Sequence, residues 1–112
     1  MSKRSNLKLL QGTVNLLILR TLAVSGLQHG YGIANSIHAR TGGELGLEES
    51  ALYHALHRLE SRGLVSSEWG VSDNNRRAKF YKITGEGRRQ LREESRIWTR
   101  YARAVFAVLE PA

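Results

Sequence analysis

Hydrophobic residues along this chain follow a helical period in some stretches and a two-residue period in others, and the changes between them mark out its elements. From Leu7 to Ala23 aliphatics crowd in at Leu7, Leu9, Leu10, Val14, Leu16, Leu17, Ile18, Leu19 and Leu22. The unbroken run Leu16–Leu19 cannot hide on one helical face. A first helix, opened by Gly12 with Thr13 as N-cap, is therefore expected to be buried on several sides. In so small a chain part of that surface is expected to meet a second copy, which makes Leu16 and Leu19 candidate interface residues. The polar stretch Met1–Asn6 ahead of it reads as a frayed end. A turn over Ser25–His29 leads into Gly30-Tyr31-Gly32, which opens a second helix to about Arg40 with Ile33, Ala34 and Ile37 inward. Those glycines cost helix propensity, so they read as points of close backbone approach or special entry geometry. Thr41-Gly42-Gly43 ends the helix, and Glu44–Leu47 can form a short strand.

The most informative stretch is Ser50–Arg62, SALYHALHRLESR. Leu52, Ala55, Leu56 and Leu59 recur at i, i+3, i+4 and i+7, one apolar stripe. The opposite face carries Tyr53, His54, His57, Arg58 and Ser61 where a merely solvated helix more often shows Glu/Lys pairs four apart. An aromatic, two imidazoles, a guanidinium and a hydroxyl are groups that meet phosphate oxygens and base edges. With the glycine-containing connection before it, this is the arrangement of a helix-turn-helix whose second member reads DNA.

Gly63 stops that helix. Leu64–Trp69 is a β-type run, Gly70–Asn75 a polar turn, and Arg76–Thr84 a returning strand with Tyr81 and Ile83 on one face and Phe80 and Lys82 on the other. A hairpin with Arg76, Arg77 and Lys79 on its tip and return strand, directly after a helix-turn-helix, reads as a wing that can reach phosphates or the minor groove. Thr84 can cap a last helix from Gly85 to Leu109, about 37 Å long, with Glu86 in its first turn. Leu91, Trp98 and Val105 recur every seven residues, with Tyr101, Ala102, Val108 and Leu109 between them. Glu94 and Ser95 interrupt the seam, so the coiled-coil pattern is weak. A helix this long outruns so small a domain and is expected to serve as a dimer arm.

The fold class expected is therefore mainly α with a small β-hairpin: a winged helix-turn-helix over residues 1–84 and a dimerisation helix over 85–112. Composition sharpens this in three ways. No cysteine is present, which removes disulfides and thiolate metal sites and suits a reducing, cytoplasmic setting. The longest aliphatic run is too short to span a bilayer, and no cleavage site follows Lys3 and Arg4, so neither a membrane partner nor a signal peptide is expected. The net charge is +7, and Arg76–Arg92 alone holds seven basic residues and one acidic. That concentration is the footprint of a polyanion partner. The recognition segment, flanked by Glu48, Glu49 and Glu60, does not itself supply the electrostatics.

The chain resembles the PadR family of winged-helix transcription regulators, in particular its short members with a single C-terminal helix. The resemblance rests on Leu10-Gln11-Gly12-Thr13, on His29-Gly30-Tyr31-Gly32-Ile33, on Leu52-Tyr53 with Ala55-Leu56-His57-Arg58-Leu59-Glu60, and on Asn74-Asn75-Arg76-Arg77-Ala78-Lys79-Phe80-Tyr81 running into Ile83-Thr84 and Gly87. It implies a dimeric repressor on palindromic promoter DNA, with Tyr53 and the wing arginines as contacts. Ser50-Ala51 stand where the family commonly has Gly and then Ser or Thr, and His54 where proline is more usual, so a hydroxyl contact at Ala51 does not carry over. Residues expected at DNA are thus Ser50, Tyr53, His54, His57, Arg58, Arg76, Arg77 and Lys79. Those expected at the dimer interface are Leu16, Leu19, Leu91, Trp98, Tyr101, Ala102, Val105 and Leu109. Trp98 and Tyr101 also make a candidate pocket for a small apolar or aromatic effector, since relatives in this family include proteins that sense such compounds, although ordinary packing accounts for the rings as well.

Other readings stay open on the sequence alone. His54 and His57 lie one turn apart with Glu60 a turn further and could ligate a metal, but no thiolate or aspartate cluster joins them. No glycine-rich phosphate loop or nucleophile elbow is present, so no enzyme activity or cofactor is expected. A winged helix that binds RNA fits the same charge and shape. A protein-interaction module leaves so basic a wing unexplained.

Overall fold

The computed structural model describes Leu7–Lys8 as backbone and residues 12–111 in full. The expected end at Met1–Asn6, the aliphatics Leu9 and Leu10, and the first half of the Leu10–Thr13 motif lie outside the described residues. Among the described residues four helices and five strands follow in the order β1 (Leu7–Lys8), α1 (Val14–Ser25), β2 (Gln28–His29), α2 (Gly30–Arg40), β3 (Leu45–Gly46), α3 (Glu49–Ser61), β4 (Val65–Val71), β5 (Arg77–Ile83) and α4 (Gly85–Leu109).

Helix α1 is the centre. It touches α2, α3, α4 and β5, and Ile18, Leu19 and Leu22 are fully buried with Leu16 nearly so. Its one buried polar side chain, Thr21, returns its hydroxyl to the Leu17 carbonyl at 2.8 Å. The interface assignment of Leu16 and Leu19 is therefore corrected: both are closed off by the chain's own helices and have almost no surface left for a second copy. Leu91 is corrected for the same reason, since it belongs to the same core. Periodicity shows that these residues must be covered. It does not show by what.

The other inner faces match the pattern. Leu52, Ala55, Leu56 and Leu59 of α3 and Ile33 and Ile37 of α2 are buried together. Helix α3 ends where the Gly63 amide donates to the Glu60 carbonyl and the Leu64 amide to the Leu59 carbonyl, at 3.0 and 2.9 Å. Strands β4 and β5 form the hairpin, with Val65 opposite Ile83, Trp69 opposite Lys79 and Val71 opposite Arg77. Val65, Tyr81 and Ile83 bury its base on the core. At the tip Asn75 takes a left-handed conformation with φ 61°, which asparagine tolerates better than most residues. The Ser72 amide donates to the Arg76 carbonyl at 2.7 Å and closes the turn.

Two pairings add to the expected set. Gln28–His29, expected as a turn, is a short strand against β5, so the sheet has the order β2-β5-β4. The expected strand near Glu44–Leu47 is β3, and it pairs in parallel with β1.

Helix α4 is tied on at its start. The Thr84 hydroxyl donates to the Gly63 carbonyl at 2.7 Å and accepts the Gly87 amide at 3.0 Å. A Cβ at Gly87 would stand 2.1 Å from the Leu64 carbonyl oxygen, so only glycine lets the helix approach the start of β4 this closely. Surface pairs Arg89–Glu86 and Arg96–Glu93 run along the helix. Beyond Leu91 the burial falls away: Ala102 and Val105 are half-buried, while Ile97, Trp98, Tyr101, Phe106, Val108 and Leu109 are exposed. Gly87→Ala is accordingly expected to lower stability by about 1–3 kcal/mol, read from the denaturant midpoint, because the obstacle is backbone rather than a side chain that can swing away.

Candidate nucleic-acid interface

The exposed stripe of α3 carries Ser50, Tyr53, His54, His57, Arg58 and Ser61, all open to solvent. Its first turn contains Glu49, an acidic residue at the positive end of the helix dipole. Beside this stripe an open groove of about 1070 Å³ runs between the first turns of α2 and α3 and the inner face of the wing. Tyr53, Arg76, Arg77 and Lys79 all line it, together with Tyr31, Trp69 and Tyr81. The structure thus brings four of the residues expected at DNA to one groove. Ser50, His54, His57 and Arg58 stand outside it, on the open face of α3.

Local chemistry explains how the groove is held. His29 is the N-cap of α2, its Nδ1 accepting the Gly32 amide at 2.9 Å. The His29 ring meets the edge of Phe80, with centroids 5.4 Å apart, which fixes the start of α2 to the back of the wing. Tyr53 lies against the first turn of α2, where a Cβ at Gly30 would come within 2.8 Å of its hydroxyl. The glycines expected to permit close approach include one that does so. On the other wall Glu60 links α3 to the wing. One carboxylate oxygen accepts the Ser67 hydroxyl at 2.6 Å, and the other lies 3.9 Å from the Lys79 ammonium. Arg77 and Lys79 both stand over the Trp69 ring, at 4.5 and 5.9 Å from its centre.

Tyr31 and Trp69 are groove residues that the sequence pattern does not single out. Both are exposed aromatics, at 70% and 59%, and both face the groove. Tyr31 does carry a signal, an aromatic between two glycines at a helix start. Trp69 carries none, because a tryptophan in a half-buried strand reads as core.

The model for the family described as transcriptional regulator, PadR-like, matches residues 18–93. This chain belongs to the PadR-like family. The matched span runs from the buried part of α1, through the helix-turn-helix and wing, to the first turns of α4. An uncharacterized protein from Lysinibacillus sphaericus is 30% identical over 103 residues, 91% of this chain and 93% of its own length. Among solved structures, a transcriptional regulator from Clostridium thermocellum superposes with a TM-score of 0.80 at 28% identity, over 89% of this chain and 96% of that one. A PadR family transcription regulator from Clostridium difficile gives 0.75 at 29% identity, over 88% and 100%. One from Eggerthella lenta gives 0.74 at 34%, over 91% and 86%. PadR proteins are transcriptional regulators that act on DNA, not enzymes, and the winged-helix fold expected from the sequence is the fold of this chain. Among the described residues no helix is long and apolar enough to cross a membrane.

Tyr81 carries the buried phenol of the groove. Burial, then the nearby Glu60 carboxylate, then Tyr53 raise the Tyr81 phenol above its ordinary value of about 10. The folded state therefore holds this proton more tightly than the unfolded chain does. The associated stability is fully present below about pH 10 and is lost as pH rises through the folded value. In a phenolate absorbance titration Tyr81 is expected to give a component that ionises above the ordinary phenol value. The late component should vanish in Tyr81→Phe and move to lower pH in Glu60→Gln.

Proposed function

We propose that this PadR-like regulator binds a palindromic duplex operator as a homodimer and represses the promoter that contains it. The observation that carries the DNA-binding part is the convergence of Tyr53 with Arg76, Arg77 and Lys79 on one groove, alongside an exposed helix face rich in donors. In this reading α3 lies in the major groove, with Ser50, Tyr53, His54, His57 and Arg58 toward the bases and nearest phosphates. The wing takes the adjoining backbone. Phosphate contacts hold the register while base-edge contacts select the sequence. An RNA-binding winged helix is the weaker reading, because a donor-rich helix face suits the wide major groove of B-DNA, whereas the deep, narrow groove of duplex RNA excludes it.

The dimer is proposed on α4. Past Leu91 that helix leaves Trp98, Tyr101 and Leu109 exposed, with Ala102 and Val105 half-covered, and exposed apolar side chains grouped on one element mark protein–protein contact sites. Division of the chain into a DNA-binding part, 1–84, and a dimerisation helix, 85–112, follows the same reading, with the first turns of the helix shared by the core. The Trp98 and Tyr101 rings, with centroids 5.7 Å apart, are also the proposed contact for a planar apolar effector that releases the operator. Family analogy supports both repression and release.

The deciding experiment selects duplexes from a random library with the purified protein and follows their affinity by anisotropy across salt. Affinity should fall with salt, and Arg77→Ala should make the log–log slope shallower by about 0.9 for each phosphate that the arginine neutralises. Since Lys79 already faces Glu60, Lys79→Ala should change the slope less. Binding that is absent, or indifferent to salt, would sink the DNA reading.

Trp98→Glu tests the assembly. A carboxylate in an apolar seam has no partner to offset its desolvation, so sedimentation should show monomer or unfolded chain, and operator binding should disappear. A folded dimer of normal size would move the interface elsewhere.

A further inference from the structure

The cations of the wing are not equivalent, and the difference lies in what each already touches. Lys79 has Glu60 at 3.9 Å and stands farther from the Trp69 ring, 5.9 Å from its centre. Arg77 has no ion pair among the described residues, yet its guanidinium carbon stands 4.5 Å over the centre of the Trp69 ring. The strand register sets this up. Trp69 is directly opposite Lys79, and Arg77 is the next residue on the same face, opposite Val71. All three side chains look into the groove.

Trp69 does not fill the core. The buried part of that hairpin face is Val65, Tyr81 and Ile83, while the indole is 59% exposed. Its contact with Arg77 is of a particular kind. A guanidinium over a ring is attracted through its face, by the ring's quadrupole. Among the described residues the five N–H donors of Arg77 reach no protein acceptor, so the contact with the ring restrains the side chain while leaving them unpaired. An ion pair of the kind Lys79 makes restrains a cation by neutralising its charge.

We infer that Trp69 is a positioning residue for DNA binding: its indole holds the Arg77 guanidinium over the groove with its donors free for the nucleic-acid strand. The inference rests on the proposed reading of the groove as the DNA site. Trp69 acts through Arg77 and contributes no base or phosphate contact of its own.

A double-mutant cycle on one selected duplex tests it, with wild type, Trp69→Ala, Arg77→Ala and the double variant compared by anisotropy. Trp69→Ala is expected to weaken binding about two- to five-fold, the range of an exposed cation–π contact. In the Arg77→Ala background the same change is expected to cost nothing further. Trp69→Phe should retain part of the effect, since the smaller ring attracts a cation less strongly, and it carries the cycle if Trp69→Ala does not fold. Equal reductions in both backgrounds would overturn the inference, because Trp69 would then act independently of Arg77. An unchanged affinity in the single variant would overturn it too. Failure of the wild-type protein to bind any duplex would instead defeat the underlying DNA reading, so the two failures are distinguishable.

Discussion

Burial of α1 on nearly every side is the constraint from which the rest of the molecule follows. A chain of 112 residues has little apolar surface to bury, and here one helix is the common wall for α2, α3, β5 and the start of α4. At about 25 cal/mol per Å² of apolar surface removed from water, such shared packing is the largest stabilising term in a domain without disulfides. It also fixes geometry. With Leu19 and Leu22 fully enclosed, α2 and α3 can each pack on α1 in essentially one way, and the crossing of those two helices decides where the polar face of α3 points.

The candidate interface is assembled from small, specific contacts on top of that core. The His29 cap, the Phe80 edge and the seat for Tyr53 beside Gly30 join α2 to its neighbours. Glu60 joins α3 to the wing through Ser67. None of these contacts buries much area. Each fixes a relative position, and for a strand bound in the groove as proposed, walls held in this way would reduce the ordering cost of association.

Much of this architecture is legible in the sequence, for reasons that can be named. The α3 stripe is unambiguous because Leu52, Ala55, Leu56 and Leu59 keep a strict helical period. The ends of α4 are clear because Thr84 and Pro111 are strong punctuation. The strand β2 is not legible: Gln28 and His29 are too few for any period, and their pairing depends on β5, more than fifty residues later. The destination of Leu16, Leu19 and Leu91 is equally hidden. Hydrophobicity says that a residue must be covered, and the choice between the chain's own core and a second copy is a property of the fold. Trp69 escapes sequence reasoning because an aromatic in a half-buried strand is a core residue by default, and only three-dimensional placement shows it at the surface.

The Glu60–Lys79 contact has a consequence for how such a protein would search a genome. A wing in which every cation was free would grip any duplex through counterion release alone, and the regulator would linger at the vast excess of irrelevant sites. If the wing meets phosphate as proposed, a carboxylate beside one of those cations, Glu60 at 3.9 Å from Lys79, would lower that indiscriminate hold. On the proposed reading Glu60 would thereby shorten each unproductive stop, at the expense of some affinity for the operator itself.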